Sequence, residues 1–338
     1  MSEAVDWGLA LATGVRTASS GPEMSMTEAA AEVAALREAA AAVVEPVAGI
    51  TALSAPEAPP AVVVDRAEWI RSNAGALRTV LTPLTDGERQ VGGFAQPVSS
   101  RLAGLQLGLA LGWLSGKVLG QYEALPAESD GPQRLLLVAP NIVQAATVMG
   151  VDEHDFRLWV CMHEETHRVQ FGAHPWLSEY FAGEVAALVR GLDVGPAELA
   201  ARLASGIRNA DSGGVAGWLQ SPQMRSRMSG LMALMSLLEG HADWVMDQSE
   251  EVVPSAARLR VAFEQRRRGG GLFDAVLRRL LGLDAKLAQY REGAAFTRAV
   301  IDQVGLSGFN KVWSGPATLP LAGEINDSTA WVARVRSM

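Results

Sequence analysis

The spacing of apolar residues along the chain predicts a mainly helical protein. A capping-box pair, Ser25 and Glu28, precedes an alanine-rich run at residues 29–44, which Pro46 is expected to end. Apolar positions at helical spacing continue through most of the remaining sequence. They predict further helices at residues 66–81, 102–120, 153–171, 183–190, 223–248, 255–267, 272–281 and 285–304.

The strand signals are fewer. The short apolar run "RLLLVA" at residues 134–139 follows a turn-rich linker at residues 126–133 and predicts one strand. From Gly305 onward Gly and Pro recur, so the tail is expected to be mostly irregular. We therefore predict a mainly α fold with a small β-sheet (α+β). An N-terminal helical region at residues 1–125 is expected to pack on a core region at residues 126–338, the two forming one compact unit.

Glycine recurs every fourth residue in the segment 102–120, at Gly104, Gly108, Gly112, Gly116 and Gly120. On a helix this spacing places the glycines along one slowly drifting stripe, where another backbone can approach closely. Each glycine costs helix stability, up to ~1 kcal/mol relative to alanine. The stripe therefore predicts close packing against a neighbouring helix.

Charge and composition narrow the class of protein. The 338 residues carry a net charge of −8, which argues against nucleic acid or an anionic membrane as the main partner. The first residues include Glu3 and Asp6 where a secretory signal would carry basic residues, and Gln106 and Lys117 interrupt the most apolar segment. These features predict a cytoplasmic protein without a membrane span. Cys161 is the single cysteine and is expected to be a core residue.

Three of the five histidines lie in "VCMHEETHRVQFGAHPWL" at residues 160–177. His163 and His167 are four apart, so on a helix they share one face and can direct two ring nitrogens at one metal ion. Glu164 lies about 100° around the helix from His163, where a carboxylate can take a proton from a metal-bound water. The H-E-x-x-H pattern therefore predicts a catalytic metal site. The alternative is two histidines satisfied by hydrogen bonds in the core.

The third ligand has a candidate in "LEGHADWVMD", where Glu239 and Asp243 are four apart on a predicted helix. Glu239 would complete a three-ligand site that leaves one position open for water. Asp243 would orient one of the imidazoles through its other ring N–H. A solvated edge of the helix is the alternative for this acidic pair. Two imidazoles and one carboxylate favour Zn²⁺, with one ion per chain.

The remaining histidines are expected to have roles other than metal ligation. His241 lies about 200° around the helix from Glu239 and is expected to form hydrogen bonds. His174 follows the end of the motif helix and is expected to pack in a loop or to line the cleft. His154 is expected to be exposed in the first helical turn.

With these residues the chain resembles the gluzincin arrangement of zinc metallopeptidases. The resemblance implies that Glu239 is the third ligand and Asp243 the supporting carboxylate. More narrowly, the chain resembles the zincin-like hydrolases of actinobacteria and their relatives, which are often labelled as associated with biosynthesis of the deazaflavin coenzyme (F-420). Less specific matching segments run along most of the chain. They are "VDWGLA", "VVDRAEWI", "VLGQYEAL", "LLLVAPNI", "KLAQYREGAAF" and "WVARV".

The resemblance implies two further features. Zincins have a strand near the active-site helix that pairs with an extended peptide, and "RLLLVA" is the candidate here, with a structural hairpin as the alternative. Gluzincin-type peptidases also use a Tyr or His to steady the oxyanion. The candidates, among which the sequence does not choose, are Tyr180, Tyr290, His174 and His241.

These observations lead to a first hypothesis of a zinc-dependent hydrolase, specifically a metallopeptidase. It would cleave peptide or amide bonds with a zinc-bound water and Glu164 as general base. Two alternatives stay open: a small-molecule amidase that uses the same site, and a zincin-like scaffold that binds a partner without turnover. Glu164 argues against the scaffold, because a purely structural zinc site needs no base at that position.

Overall fold

The computed structural model describes residues 5–55, 59–81, 96–125, 133–191, 222–268 and 288–338. Within these ranges the chain is mainly helical with three short strands, which confirms the predicted fold class. The strands are β1 (Val62–Val64), β2 (Gly120–Tyr122) and β3 (Leu135–Val138). The helices are α1 (Trp7–Thr17), α2 (Met26–Ala42), α3 (Val44–Thr51), α4 (Arg66–Leu81), α5 (Gln96–Ser115), α6 (Ala139–Met149), α7 (Glu153–Gly172), α8 (Pro175–Gly191), α9 (Pro222–Asp247), α10 (Ala256–Arg268), α11 (Ala288–Phe309) and α12 (Ser328–Arg336).

The capping box predicted at the start of α2 is present. Ser25 Oγ accepts a hydrogen bond from the Glu28 N–H at 3.2 Å, and the Glu28 carboxylate accepts one from the Ser25 N–H at 2.7 Å. The helix ends at Ala42, but the chain enters α3 immediately afterwards. Pro46 lies in the first turn of α3, where its missing N–H leaves no intrahelical bond unmade. Pro46 therefore marks a junction between two helices.

The glycine stripe of α5 packs against α1. A Cβ on Gly104 would overlap the carbonyl oxygen of Asp6, and one on Gly108 would overlap that of Ala10. A Cβ on Gly112 would overlap Oγ1 of Thr17. Helix α1 therefore lies directly on the backbone of α5. The predicted close approach of a second helix is confirmed. The partner helix, α1, was not indicated by the apolar pattern.

The sheet has the order β1–β3–β2, with β1 parallel and β2 antiparallel to β3. The predicted strand "RLLLVA" corresponds to β3, and all four residues of β3 are buried. Because β3 is paired on both sides, it cannot add a peptide strand. The expectation that it pairs with a substrate is therefore wrong, and β3 forms a structural hairpin with β2. Within the described residues, β2 is paired on one side only.

The motif helix α7 lies at the centre of the described structure, where it contacts α2, α3, α6, α8, α9 and both strands of the hairpin. Its buried residues Phe156 and Trp159 belong to one hydrophobic cluster, and Phe171 at its other end belongs to a second. The sheet combines β1 and β2 from residues 1–125 with β3 from residues 126–338. The proposed division of the chain at residue 125 stays a prediction.

The C-terminal segment differs from the sequence-based expectation. Residues after Gly305, predicted to be mostly irregular, form the end of α11, three short 3₁₀ turns and the helix α12. Gly305 has a positive φ of 72° and a non-helical backbone conformation, so α11 consists of two helical pieces that meet at a kink at this residue. Asp327 caps α12 by accepting a hydrogen bond from the Ala330 N–H at 3.0 Å, and Trp331 is buried. The frequent Gly and Pro therefore mark short turns between helical pieces.

Two of the predicted segments, the helix at residues 272–281 and most of the linker at residues 126–133, lie outside the described residues. Among the helices that the structure does describe, none has the length and apolar character that crossing a membrane requires.

Candidate metal centre

The helix that carries the H-E-x-x-H motif, α7, is fixed at its start and along its length. Asp152 caps it by accepting a hydrogen bond from the Asp155 N–H at 2.9 Å, and Asp155 accepts one from the Ser255 N–H at 2.7 Å. Arg157 donates two hydrogen bonds, of 2.8 and 2.6 Å, to Glu32 of α2. Of the 20 residues in α7, 14 are buried. The core therefore sets the positions of the motif residues.

Glu239 is presented by α9, which contacts both α7 and α11. Gly240 of α9 and Gly293 of α11 lie so close together that a Cβ on either would overlap backbone atoms of the other helix. Glu239 directly precedes Gly240. The close crossing of the two helices therefore fixes the backbone from which the Glu239 carboxylate extends toward α7.

The structure brings His163, His167 and Glu239 together, with one ligand atom of each within 4.8 Å of the others. The two Nε2 atoms are 3.3 Å apart, and the Glu239 oxygens lie 3.6 Å from His163 Nε2 and 3.7 Å from His167 Nε2. A tetrahedral ion at the usual distance from both nitrogens requires them to be about 3.3–3.4 Å apart. The side chains are 24%, 14% and 19% exposed, respectively. The trio therefore fits one divalent ion with a side open to solvent.

Glu164 lies beside this trio and is buried, with 8% of the residue exposed. Gly120 at the start of β2 covers it, and a Cβ on Gly120 would be only 2.5 Å from Glu164 Cγ and 2.9 Å from Oε1. Burial raises the pKa of Glu164 to about 7, with His163 opposing this effect and Glu239 adding to it. A carboxyl group with a pKa near neutrality is suited to both taking up and releasing a proton.

The two histidines of the motif have opposite pKa shifts. Burial acts to lower the pKa of His163, but the hydrogen bond and charge of Glu239, with smaller effects of Glu164 and Asp243, raise it to about 9. Burial lowers the pKa of His167, with Glu239 opposing and His163 adding to this effect. The carboxylates around His163 therefore favour a positive charge at the point where the three side chains meet.

Gln170, three residues after His167, is a contact that the sequence reasoning missed. Its Oε1 lies 2.9 Å from His167 Nδ1, while its Nε2 lies 3.0 Å from both the Leu238 carbonyl oxygen and His241 Nδ1. The side chain is fully buried. An amide at helical spacing from a candidate ligand, inside the apolar run "RVQF", is the signal that could have found it.

Asp243 influences both motif histidines through its charge, which acts to raise the pKa of each. It is half-buried on α9, one turn beyond Glu239. Its expected role in orienting an imidazole stays a prediction.

The other polar candidates lie around the trio in different ways. His241 is fully buried, with its ring centroid 5.2 Å from that of Phe309 and 5.5 Å from that of Trp313. His174 donates a hydrogen bond to the Gln170 carbonyl at 3.0 Å and stacks on Trp313. Both histidines therefore contact Gln170, which in turn contacts His167.

Of the two tyrosine candidates, the structure describes the side chain of one. Tyr180 is half-buried and makes an edge contact with Trp176. The side chain of Tyr290 lies outside the described residues. The oxyanion role proposed for either tyrosine, or for His174 or His241, stays a prediction.

Two further residues of the motif region behave as the sequence indicated. His154 is exposed in the first turn of α7. Cys161 is buried, and burial raises the pKa of its thiol, as in an unreactive core residue.

β2 lies against Glu164, and no strand among the described residues pairs with its second side. The Leu119 carbonyl accepts a hydrogen bond from Val138 N–H, and the Glu123 N–H donates one to the Arg134 carbonyl, each at 2.8 Å toward the β3 side. Hydrogen-bonding direction alternates along an antiparallel strand, so Gly120 directs its N–H and C=O to the opposite, open side. The sequence reasoning assigned no role to Gly120 beyond the helical stripe. The edge of β2 that no described strand pairs with therefore includes Gly120, the residue that covers Glu164.

Comparisons with known proteins identify the family of the chain. The family model of the zincin-like metallopeptidases matches residues 5–332. Among solved structures, the chain is similar to a protein from Chloroflexus aurantiacus, provisionally described as a hydrolase with a novel fold. The two share 28% sequence identity over 99% of each chain, with a TM-score of 0.73. A search of curated proteins found no match. The match over nearly the whole length shows that the chain belongs to the family of zincin-like metallopeptidases.

Proposed function

We propose that the protein is a zinc-dependent hydrolase, and specifically a metallopeptidase. The observation that carries the proposal is the convergence of His163, His167 and Glu239 on one point, with the buried carboxyl group of Glu164 beside it. His163 Nε2, His167 Nε2 and a Glu239 oxygen would hold the ion. When bound, zinc polarises a substrate carbonyl and lowers the pKa of water. Two findings support this reaction class. The chain belongs to the family of zincin-like metallopeptidases, and it is similar to a protein provisionally described as a hydrolase.

Glu164 supplies the proton transfer in this proposal. Its carboxylate takes a proton from the attacking water and returns it to the amine nitrogen of the departing product. Gly120 blocks one side of the carboxyl group, so the group cannot swing out in that direction. A base that is already held in position loses less conformational entropy when the transition state forms.

The open edge of β2 supports a peptide substrate over a small amide. An extended peptide can bind such an edge through main-chain hydrogen bonds, which hold it whatever its side chains are. Gly120 offers an N–H and a C=O beside Glu164, so a peptide paired there would place a backbone amide near the base. This use of β2 replaces the assignment of the substrate strand to β3.

The test is the substitution Glu164→Gln, which keeps the size of the side chain and removes its basicity. We expect a loss of hydrolysis of a quenched-fluorescence peptide library by ~10²-fold or more, the range that general base catalysis contributes. Zinc content, measured by elemental analysis, should stay near one ion per chain. Glu153→Gln is the matched control, because Glu153 is an exposed residue of the same helix.

The outcomes separate the hypotheses. Unchanged hydrolysis in Glu164→Gln would eliminate the proposed base. A wild-type protein that binds zinc but cleaves no member of the library would favour the non-catalytic scaffold. Cleavage of simple amides with no peptide cleavage would favour a small-molecule amidase.

A further inference from the structure

The side chain of Gln170 links the two helices that supply the candidate ligands. On the α7 side, its Oε1 lies 2.9 Å from His167 Nδ1. On the α9 side, its Nε2 lies 3.0 Å from the carbonyl oxygen of Leu238, the residue before Glu239, and 3.0 Å from His241 Nδ1. One fully buried amide thus makes three polar contacts.

The Leu238 carbonyl fixes which way the amide points. A carbonyl oxygen only accepts hydrogen bonds, so the group that faces it must be the NH₂ of Gln170. The amide oxygen must then face His167. The amide oxygen also only accepts hydrogen bonds, so His167 Nδ1 must carry a proton and donate a hydrogen bond to it. The other ring nitrogen, Nε2, is left with a free lone pair on the side of His163 and Glu239.

The same reasoning fixes the proton of His241. The second N–H of the amide faces His241 Nδ1, which must therefore accept, and a neutral ring then carries its proton on Nε2. Both contacts of the NH₂ group thus keep the amide in the same orientation.

We propose that Gln170 is a positioning residue that holds His167 in the Nδ1–H tautomer and so makes its Nε2 available as a metal ligand. The inference rests on the proposed function, since it takes His167 to be a ligand. Hydrogen bonds of this kind to a ligand histidine change metal affinity ~10–100-fold when they are removed. Because Gln170 also holds the backbone next to Glu239, it sets the distance between the ligands from α7 and α9.

The direct test is the tautomer of His167 in the metal-free protein. Nitrogen chemical shifts of histidine-labelled protein, recorded above the ordinary histidine pKa of about 6.5, distinguish the two ring nitrogens. We expect a protonated Nδ1 and an unprotonated Nε2 at His167 in the wild type. The opposite tautomer in the wild type would overturn the inference. This measurement does not depend on hydrolysis or on bound zinc.

Zinc affinity, measured by competition with a chromophoric chelator, gives the second readout. Gln170→Met keeps the approximate volume and removes every polar contact, and we expect it to raise the Kd for zinc ~10–100-fold. Thr166→Val is the matched control, because Thr166 is a buried polar residue of α7 whose hydroxyl bonds to the Met162 carbonyl within the helix. An equal loss of affinity in the control would assign the effect to general damage of the core.

Gln170→Glu separates positioning from packing. The new carboxylate still accepts a hydrogen bond from His167 Nδ1–H. A positioning role therefore predicts the Nδ1–H tautomer and a Kd for zinc closer to wild type than that of Gln170→Met. A packing role predicts the reverse order, because a charge in a fully buried site is more disruptive than a thioether. If Gln170→Glu does not fold, the wild-type tautomer and the comparison of Gln170→Met with Thr166→Val still decide. A wild type that binds no zinc would instead refute the proposed function, whatever the tautomer.

Discussion

Gly120 sets the space around Glu164. It is the last glycine of the stripe at residues 104–120, but it lies in β2, beyond the end of α5. Its missing side chain leaves room for the Glu164 carboxyl group, since a Cβ would lie 2.5 Å from Cγ and 2.7 Å from Cδ. A glycine at this point therefore serves the candidate base, whereas Gly104 and Gly108 serve helix packing.

Gly120→Ala should therefore lower hydrolysis by moving Glu164. A displacement of about 1 Å at a reacting group can cost ~10²-fold in rate, and we expect a loss of up to that size. Zinc content should not change, because the three atoms nearest to the new methyl group all belong to Glu164 and none to a predicted ligand. Gly183→Ala is the control, since a Cβ at Gly183 meets nothing within 4 Å. Wild-type turnover in Gly120→Ala would show that the function of Glu164 does not depend on its close contact with Gly120.

At the scale of secondary-structure elements, the crossing of α9 and α11 determines where Glu239 lies. Gly240 and Gly293 allow the two backbones to touch, and Gly293 lies against the carbonyl of Ser236, one turn before Gly240. An added methyl group would push the helices apart. Since Glu239 lies within this crossing, the change would also shift the carboxylate relative to His163 and His167.

Gly293→Ala should accordingly destabilise the protein and weaken zinc binding together. Forcing an extra methyl group into a packed contact costs ~1–3 kcal/mol, which thermal or chemical unfolding would measure. Zinc titration would give the second value. Gly230→Ala, also in α9 but with nothing within 4 Å of its Cβ, should be as stable as wild type or slightly more stable. A Gly293→Ala protein with both wild-type stability and wild-type zinc affinity would contradict the role assigned to the crossing.

Local patterns in the sequence predicted much of this element-level structure. The motif helix, the Ser25–Glu28 box and the identity of β3 follow from spacings of a few residues. Contacts between distant segments were not predictable in the same way. That Gly120 lies on Glu164, and that α1 fills the glycine stripe, depends on how the chain returns on itself.

The errors have the same origin. The apolar run of β3 identified a strand correctly, but its place in the centre of the sheet depends on pairing with β1, more than 70 residues earlier. In the sequence, Gln170 looks like any other residue of a buried helix. Its role becomes visible only through its contacts with Leu238 and His241 of α9. In the tail, frequent Gly and Pro hid a helix that is held by the Asp327 cap and buried Trp331.

At the scale of the whole molecule, the candidate metal centre joins two parts of the chain that are distant in sequence. His163 and His167 belong to α7 and Glu239 belongs to α9, more than 70 residues later. A metal ion bound to His163, His167 and Glu239 would link these two helices. Binding to the folded state alone must stabilise that state.

Zinc should therefore raise the unfolding temperature of the metal-free protein. At a free concentration 100 times its Kd, the expected stabilisation is ~2.7 kcal/mol. Scanning calorimetry with zinc and with a chelator would measure it. Glu239→Gln should remove the increase, because it replaces a charged candidate ligand by a neutral amide. Identical unfolding temperatures for the wild type with and without zinc would contradict a site assembled from both helices.

His163, His167 and Glu239 each keep some contact with solvent, so a cation can reach them without any opening of the core. Under the proposed function, loading then follows folding, unlike in zinc fingers, which are unfolded without their ion. A cell short of zinc would accumulate the folded, empty protein and reactivate it when supply returns. Metal supply would then control the activity of a protein that has already folded.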